Sequence, residues 1–171
     1  ITPNYNSGRF IQDCIESVLA QIYTNWEMII VDDFSRDNSK DIITKLSISD
    51  KRIKTVFLDK NIGAAGARNI AISKASGKYI AFLDADDIWT PDKLERQISF
   101  MNQNDIAFSF TTYQSISEDG LIAKKIIHAP KIMHYHSYLK NTIIGCLTVV
   151  IDREKTGEFQ MPEIDSSHDM A

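Results

Sequence analysis

Tyr79-Ile-Ala-Phe-Leu-Asp84-Ala-Asp86-Asp87 is an apolar run that closes on three carboxylates within four residues. From Lys78 to Leu83 the chain alternates little and is mostly apolar, as expected of a strand covered on both faces by helices. The acids then fall where the strand leaves its sheet. Like charges this close repel, and each is costly to desolvate, so a purely structural role leaves their repulsion unanswered. A divalent cation answers it, because Mg²⁺ or Mn²⁺ takes carboxylate oxygens and keeps positions open for phosphate oxygens. The plainer reading is a polar capping loop before a helix that starts near Thr90. The strand-end position, where α/β sheets bind ligands, favours the cation.

Working outward, the sequence predicts strands and helices in alternation. Ile1-Thr2-Pro3 reads as the end of a strand whose beginning is missing. Phe10, Ile11, Cys14, Ile15, Val18 and Leu19 recur at helical spacing on a helix ending near Gln21. Glu27 to Val31 is a short apolar strand closed by Asp32-Asp33, and Asp37-Asn38-Ser39 caps a helix to about Leu46. A strand over Ile53 to Leu58 and a helix over Ala64 to Ala75, stopped by Gly77, lead into the acid-tipped strand. Thr90-Pro91 then starts a helix to about Met101, with Pro at its first position. This alternation argues for an α/β fold with a mainly parallel sheet and helices on both faces. Beyond residue 102 the pattern changes. Ile106 to Ile116 and Leu121 to Ile127 flank Glu118-Asp119-Gly120 as a hairpin, followed by a short helix near Ser137 to Lys140 and a strand from Cys146 to Ile151.

The 171 residues suit one domain, 43% hydrophobic and 25% charged, with no low-complexity tract. A net charge of −4 argues against a general nucleic-acid binder. Cys14 and Cys146 have no metal-ligand spacing and form no disulfide framework, which fits a reducing compartment. The apolar run Thr142 to Ile151 is shorter than the roughly 18 residues that a membrane span needs. His168-Asp169-Met170-Ala171 reads as the first turn of a helix, so the chain is expected to be truncated at both ends. Oligomeric state is not legible.

Three polar clusters fall at the carboxyl ends of strands: Pro3-Asn4-Tyr5-Asn6, Asp32-Asp33 and Asp84-Ala-Asp86-Asp87. Tyr5 alone reads as an ordinary half-buried aromatic, but with the other two clusters at its end of the sheet it is a candidate to stack on a base, and Asp33 to accept hydrogen bonds from a base N–H or a ribose hydroxyl. Asn61-Ile-Gly63-Ala-Ala-Gly66-Ala-Arg68-Asn69 opens a helix with glycines that permit close backbone approach to an anion. Arg68 suits phosphate pairing, or pairs with Asp84 or Asp86. His134-Tyr-His136 puts two imidazoles at alternating positions of an extended segment without a third zinc ligand at a convincing spacing. Trp26 is expected at the edge of the core and Trp89 beside the sugar pocket, while Lys124, Lys125 and Lys131 read as solvated surface.

Taken together, Pro3-Asn4-Tyr5-Asn6, Ser17-Val-Leu-Ala-Gln21, Ile30-Val-Asp32-Asp33-Phe-Ser35, Asn61-Ile-Gly63 with Ala67-Arg68-Asn69, and Gly77 through Asp87 resemble the family 2 glycosyltransferases of the GT-A fold. Asn141 to Arg153, with Gln160-Met-Pro162, looks like bacterial transferases of the teichuronic acid type. The resemblance implies a single GT-A domain over 1–171, with residues 1–102 binding a nucleotide-sugar and 103–171 facing the acceptor. It implies a UDP-sugar donor, with Pro3, Tyr5 and Asp33 at the uracil, and Gly63 and Arg68 also at the donor. Asp84 would face the ribose or the metal shell, and Asp86, with Asp87 beside it, would ligate Mn²⁺ or Mg²⁺ on the diphosphate. Asp169 would be the base of an inverting transfer, although His168 stands where the family carries an acid. A saccharide or lipid-linked saccharide acceptor would set the enzyme in the cytoplasm, at the inner face of the cell membrane.

Other classes fit less well. A phospho-acceptor signalling domain would place its acid pair after the first strand, whereas a strand and a full helix precede Asp32-Asp33. A nucleotide-sugar pyrophosphorylase needs a Gly-rich, basic loop that Pro3 to Arg9 does not supply. A dinucleotide oxidoreductase would show GxGxxG after a strand. A family member that only binds nucleotide or a partner, without transferring sugar, stays open as an alternative, because the acceptor-side end of the family lies beyond Ala171.

Overall fold

The computed structural model describes residues 1–117, 123–140 and 143–162. Strand β1 (Thr2–Asn4), helix α1 (Ile11–Leu19), β2 (Met28–Asp32), α2 (Ser39–Ser49), β3 (Ile53–Phe57), α3 (Gly63–Lys74), β4 (Tyr79–Ala81) and α4 (Lys93–Asn104) alternate as the hydrophobic pattern predicts. After them come β5 (Phe108–Ser109), β6 (Tyr113–Ile116), β7 (Ala123–Ile127), α5 (Tyr135–Lys140), β8 (Val150–Asp152) and α6 (Arg153–Thr156).

β1, β2 and β3 form a parallel sheet with β2 central, Thr2 opposite Ile30 and Ile30 opposite Thr55. Period-two alternation divides β2 between two helical layers. Met28 and Ile30 pack with Ile11, Cys14, Ile15, Val18 and Ile43 of α1 and α2, while Ile29 and Val31 pack with Ala67 and Ala71 of α3. The alanines let α3 approach closely, and full burial of each aliphatic on β2 stabilises the fold by about 1.5–3 kcal/mol.

β4, shorter than the Lys78 to Leu83 strand expected, ends at Ala81 and leads into the loop that carries the acids. Its neighbours are β8, antiparallel with Ile80 opposite Ile151, and on the far side of β8, β5. β4 also touches β1: the Ile1 nitrogen donates to the Ala81 carbonyl at 2.7 Å, and the Leu83 N–H donates to the Ile1 carbonyl at 3.1 Å. That pair of bonds brackets Phe82 in the parallel pattern. The sheets therefore run on from β3 through β2, β1, β4 and β8 to β5, and the carboxyl ends of β1, β2, β3 and β4 lie along one edge. β6 and β7 form a separate two-stranded ribbon.

Four local expectations change. Ile106 to Ile116 is two strands, because the chain leaves β8 after Ser109 and pairs again only at Tyr113. Cys146 to Ile151 is a strand only from Val150; Cys146–Thr148 is a 3₁₀ turn closed by the Thr148 N–H and hydroxyl, both donating to the Gly145 carbonyl. α4 starts at Lys93 with Asp92 as its N-cap residue, and the Thr90 hydroxyl bonds Asp92 instead of a helix N–H. His134-Tyr-His136 runs into helix α5 and is not extended. The hairpin tip at Glu118-Asp119-Gly120 lies outside the described residues.

Candidate functional site

The sheet edge is held together by hydrogen bonds between successive strand ends. Asn4, buried at the end of β1, donates its Nδ2 to Asp32 at 2.7 Å and to the Ser35 hydroxyl at 3.1 Å. The Asp33 N–H donates to the Asn4 carbonyl at 2.8 Å, and the Asn6 N–H to the Ser35 hydroxyl at 2.9 Å. Phe34, between them, sits at φ 67°, a strained conformation for a bulky residue. Pro3 pairs with Val31 within the sheet, and Tyr5 stands 53% exposed at the rim.

Asp33 is only 2% exposed, and its two carboxylate oxygens accept the N–H groups of Ile62 at 2.7 Å and Gly63 at 2.9 Å. An acid thus closes orphan donors at the start of α3, where the helix dipole also favours a negative charge. Gly63, at φ 80°, is what lets the chain turn into the helix there. Asp33 and Gly63 are therefore brought together, but by a bond with each other that the sequence did not reveal.

One turn along α3, Arg68 forms an ion pair with Asp84. Of the partners open to it in the sequence, this is the one the fold selects. Asp84 also anchors its loop through its carbonyl, which accepts the Asp87 N–H at 3.0 Å and the Cys14 thiol at 3.5 Å. Asp86 is exposed and Asp87 half-buried, and no described residue hydrogen-bonds either side chain. Burial, then the charges of Asp86 and Asp84, push the Asp87 carboxyl up to about 6.

Among the described residues, no three His, Cys, Asp or Glu side chains converge as a ready metal cage. The residues do fit a cation held jointly with a ligand. Mg²⁺-type ions commonly take one or two carboxylates plus substrate phosphates, and Asp86 and Asp87 offer free oxygens while Arg68 neutralises Asp84. Asp169 lies outside the described residues. His134 and His136 are exposed.

Gln21, Ser17 and Glu27 carry structural roles that the sequence reading did not assign. Gln21, at the end of α1, donates to the Ser17 and Thr90 carbonyls and accepts the Leu94 N–H, tying α1 to the start of α4. Ser17, one turn earlier, accepts the Trp89 N–H at 3.2 Å. Their four-residue spacing on one helix was the available signal. Glu27 fixes the turn into β4, accepting the Ser76 N–H and hydroxyl, each at 2.7 Å, and pairing with Lys54 of β3. Trp26 lies at the core edge as expected, under the Arg52 guanidinium. Trp89 donates its indole N–H to the Leu147 carbonyl at 2.8 Å.

Residues 1–155 match glycosyl transferase family 2. The chain belongs to that family. It is 53% identical over all 171 residues to a Bacillus subtilis protein, TuaG, named for glycosyl transfer in teichuronic acid biosynthesis. It is 46% identical over 162 residues to an Escherichia coli protein named UDP-Glc:alpha-D-GlcNAc-diphosphoundecaprenol beta-1,3-glucosyltransferase WfgD. The matches cover 100% and 95% of this chain, which spans 68% of the first relative and 62% of the second. Among solved structures, Staphylococcus aureus TarS 1-349 in complex with UDP is 28% identical with a TM-score of 0.60, over 63% of this chain and 32% of that one. The mannosyltransferase PcManGT of Pyrobaculum calidifontis, in complex with GDP-Man and Mn²⁺, reaches a TM-score of 0.67 at 16% identity, over 92% of this chain and 46% of that one, which speaks for the fold alone. The family 2 chain thus has the glycosyltransferase GT-A architecture.

Proposed function

We propose that the protein is an inverting, metal-dependent glycosyltransferase that moves a sugar from a UDP-sugar to a growing cell-surface polysaccharide. The observation that carries this reading is the pairing of Arg68 with Asp84 beside two carboxylates, Asp86 and Asp87, that have no hydrogen-bond partner among the described residues. This balance of charge leaves a net demand for a cation and a place for a diphosphate. The exposed Tyr5, beside Pro3, offers a face for the base. Asp33 keeps lone pairs for a uracil N–H even while it holds α3.

Asp86 and Asp87 would hold Mn²⁺ or Mg²⁺, and the ion would supply charge neutralisation for the departing nucleoside diphosphate. The acceptor hydroxyl attacks the anomeric carbon, the bond from that carbon to the diphosphate oxygen breaks, and the hydroxyl proton passes to Asp169. Configuration inverts in this single displacement. Support for the donor comes from relatives whose names specify UDP-Glc, and from TarS, solved with UDP. A lipid-linked acceptor, again in a relative's name, would place the reaction at the cytoplasmic face of the membrane. No described helix is long and apolar enough to cross a membrane. Division of labour between residues 1–102 for donor and 103–171 for acceptor completes the proposal.

Turnover of Asp86→Ala and Asp169→Ala in the full chain tests it. Both should lose transfer by about a hundredfold or more. If both retain near wild-type rates, the role assignment fails.

A further inference from the structure

Ala67-Arg68-Asn69 and Gln160-Met-Pro162 stand far apart in the sequence, and the fold bonds one to the other. The Asn69 side chain, on α3, donates its Nδ2 to the Met161 carbonyl at 2.9 Å and accepts the Met161 N–H on Oδ1 at 2.8 Å. An amide carries a donor and an acceptor set out as in a peptide, so Asn69 pairs with Met161 as a neighbouring strand would. Pro162 favours the match. The residue before a proline is biased to extended backbone, and an extended residue turns its own N–H and C=O to one side, where a single amide takes both. Phe159 and Met161 also pack against Ile72 of α3 and against Ile80 and Phe82 of the run that leads to the acids. Asparagine is a weak helix former, so its place inside α3 is explained by this pairing and not by the helix. The same helix reaches the donor edge twice. Its start bonds Asp33 through the Ile62 and Gly63 N–H groups, and Arg68, next to Asn69, pairs with Asp84.

We propose that Asn69 is a positioning residue for the transfer step: its amide docks the backbone at Met161 onto the helix that holds the donor-side acids, and so fixes where the chain bearing the base sets out. Asp169, assigned above as that base, follows eight residues later. Asn69 acts through the chain it holds and not on substrate. Base catalysis depends on placement to within a hydrogen bond, and an error of about 1 Å can cost about a hundredfold in rate. Because Arg68 and Asn69 are adjacent on one helix, the spacing between Asp84 and the clamped backbone is set by α3 itself. The inference rests on the transferase reading and deepens it by adding a residue that governs rate and leaves donor binding alone.

The test follows UDP release by the full chain with Mn²⁺ from UDP-glucose, UDP-galactose, UDP-N-acetylglucosamine and UDP-glucuronate, with water and dodecyl N-acetylglucosaminide as acceptors. In Asn69→Leu, close in volume but without either hydrogen bond, kcat should fall about tenfold while the donor KM and the UDP Kd from calorimetry stay within about twofold. A role confined to stability would not produce that split. Asn69→Asp keeps an acceptor for the Met161 N–H but turns a carboxylate toward the Met161 carbonyl. Protonation supplies an O–H in place of the lost donor, so the kcat of this variant relative to wild type should rise as pH falls from about 8 to about 5. Hydrogen exchange at the Met161 N–H should quicken about tenfold in Asn69→Leu with the melting temperature little changed, since the opening is local. An unchanged kcat, a parallel loss of kcat and UDP affinity, or a flat pH ratio for Asn69→Asp overturns the proposal. Wild type that releases no UDP from any of these donors overturns the transferase reading, and this inference falls with it.

Discussion

Replacing Asp33 by Ala should unfold the start of α3 before it does anything else. The carboxylate is almost wholly buried and accepts two backbone N–H groups, from Ile62 at 2.7 Å and Gly63 at 2.9 Å. Hydrogen bonds to a charged group contribute about 1.5–3 kcal/mol each. Ile62 and Gly63 are themselves exposed, so water can reach part of what the substitution uncovers. That lowers the expected loss to about 2–4 kcal/mol for the pair. Equilibrium unfolding in urea is the assay, and the midpoint should fall with the slope unchanged. Gly63→Ala isolates the backbone component. A Cβ there meets nothing within 4 Å, so the φ of 80° alone sets a cost of about 1 kcal/mol. Loss of less than about 0.5 kcal/mol in Asp33→Ala would refute the reasoning, because it would mean the two bonds are replaced by water without penalty. Weak UDP binding in a variant that kept full stability would instead make Asp33 a ligand contact alone.

Two further outcomes concern ion pairs, one at each end of the sheet. Desolvation raises the Glu27 carboxyl, but hydrogen bonds from Lys54 and Ser76 outweigh it and hold the group at about 2, against an ordinary 4.5. A depressed carboxyl stabilises the fold fully above about 4.5 and loses that contribution as pH falls toward 2. With Lys54 half exposed, screening limits it to about 1–2 kcal/mol. Glu27→Gln should therefore be less stable than wild type at pH 7 and nearly equal to it near pH 2; a constant gap across that range would contradict the assignment. Arg68→Met leaves Asp84 without its partner beside Asp86 and Asp87, at a cost of about 1–3 kcal/mol given the partial exposure of Asp84. The more acidic cluster should then gain a larger thermal shift from Mn²⁺ alone while binding UDP more weakly. Parallel changes in both would speak against a cation and a diphosphate sharing this edge.

The strand and helix alternation was legible because burial on two faces leaves a pattern in the residues themselves. Ile11, Ile15 and Val18 keep helical spacing, and β2 is apolar at four consecutive positions. Pairings between distant segments leave no such mark. Nothing local tells that Ile151 lies opposite Ile80, or that the sheet takes Val150 and rejects Cys146. Thr90-Pro91 carried a proper helix-start pattern, and Asp92 overrode it by taking the Thr90 hydroxyl. The acids of the site were placed on the correct edge by position alone. Their division of labour was hidden, because it depends on which partner folds against them: Asp33 meets the start of α3, and Arg68 meets Asp84.

The central claim is that Asp86 and Asp87 hold a divalent cation that a nucleoside diphosphate shares. Titration calorimetry of UDP with Mn²⁺, and again with a chelator, measures it most directly. The account predicts binding with the metal, a drop of about tenfold or more without it, and the same drop in Asp86→Asn even with Mn²⁺ present. Equal affinity under all three conditions would contradict it.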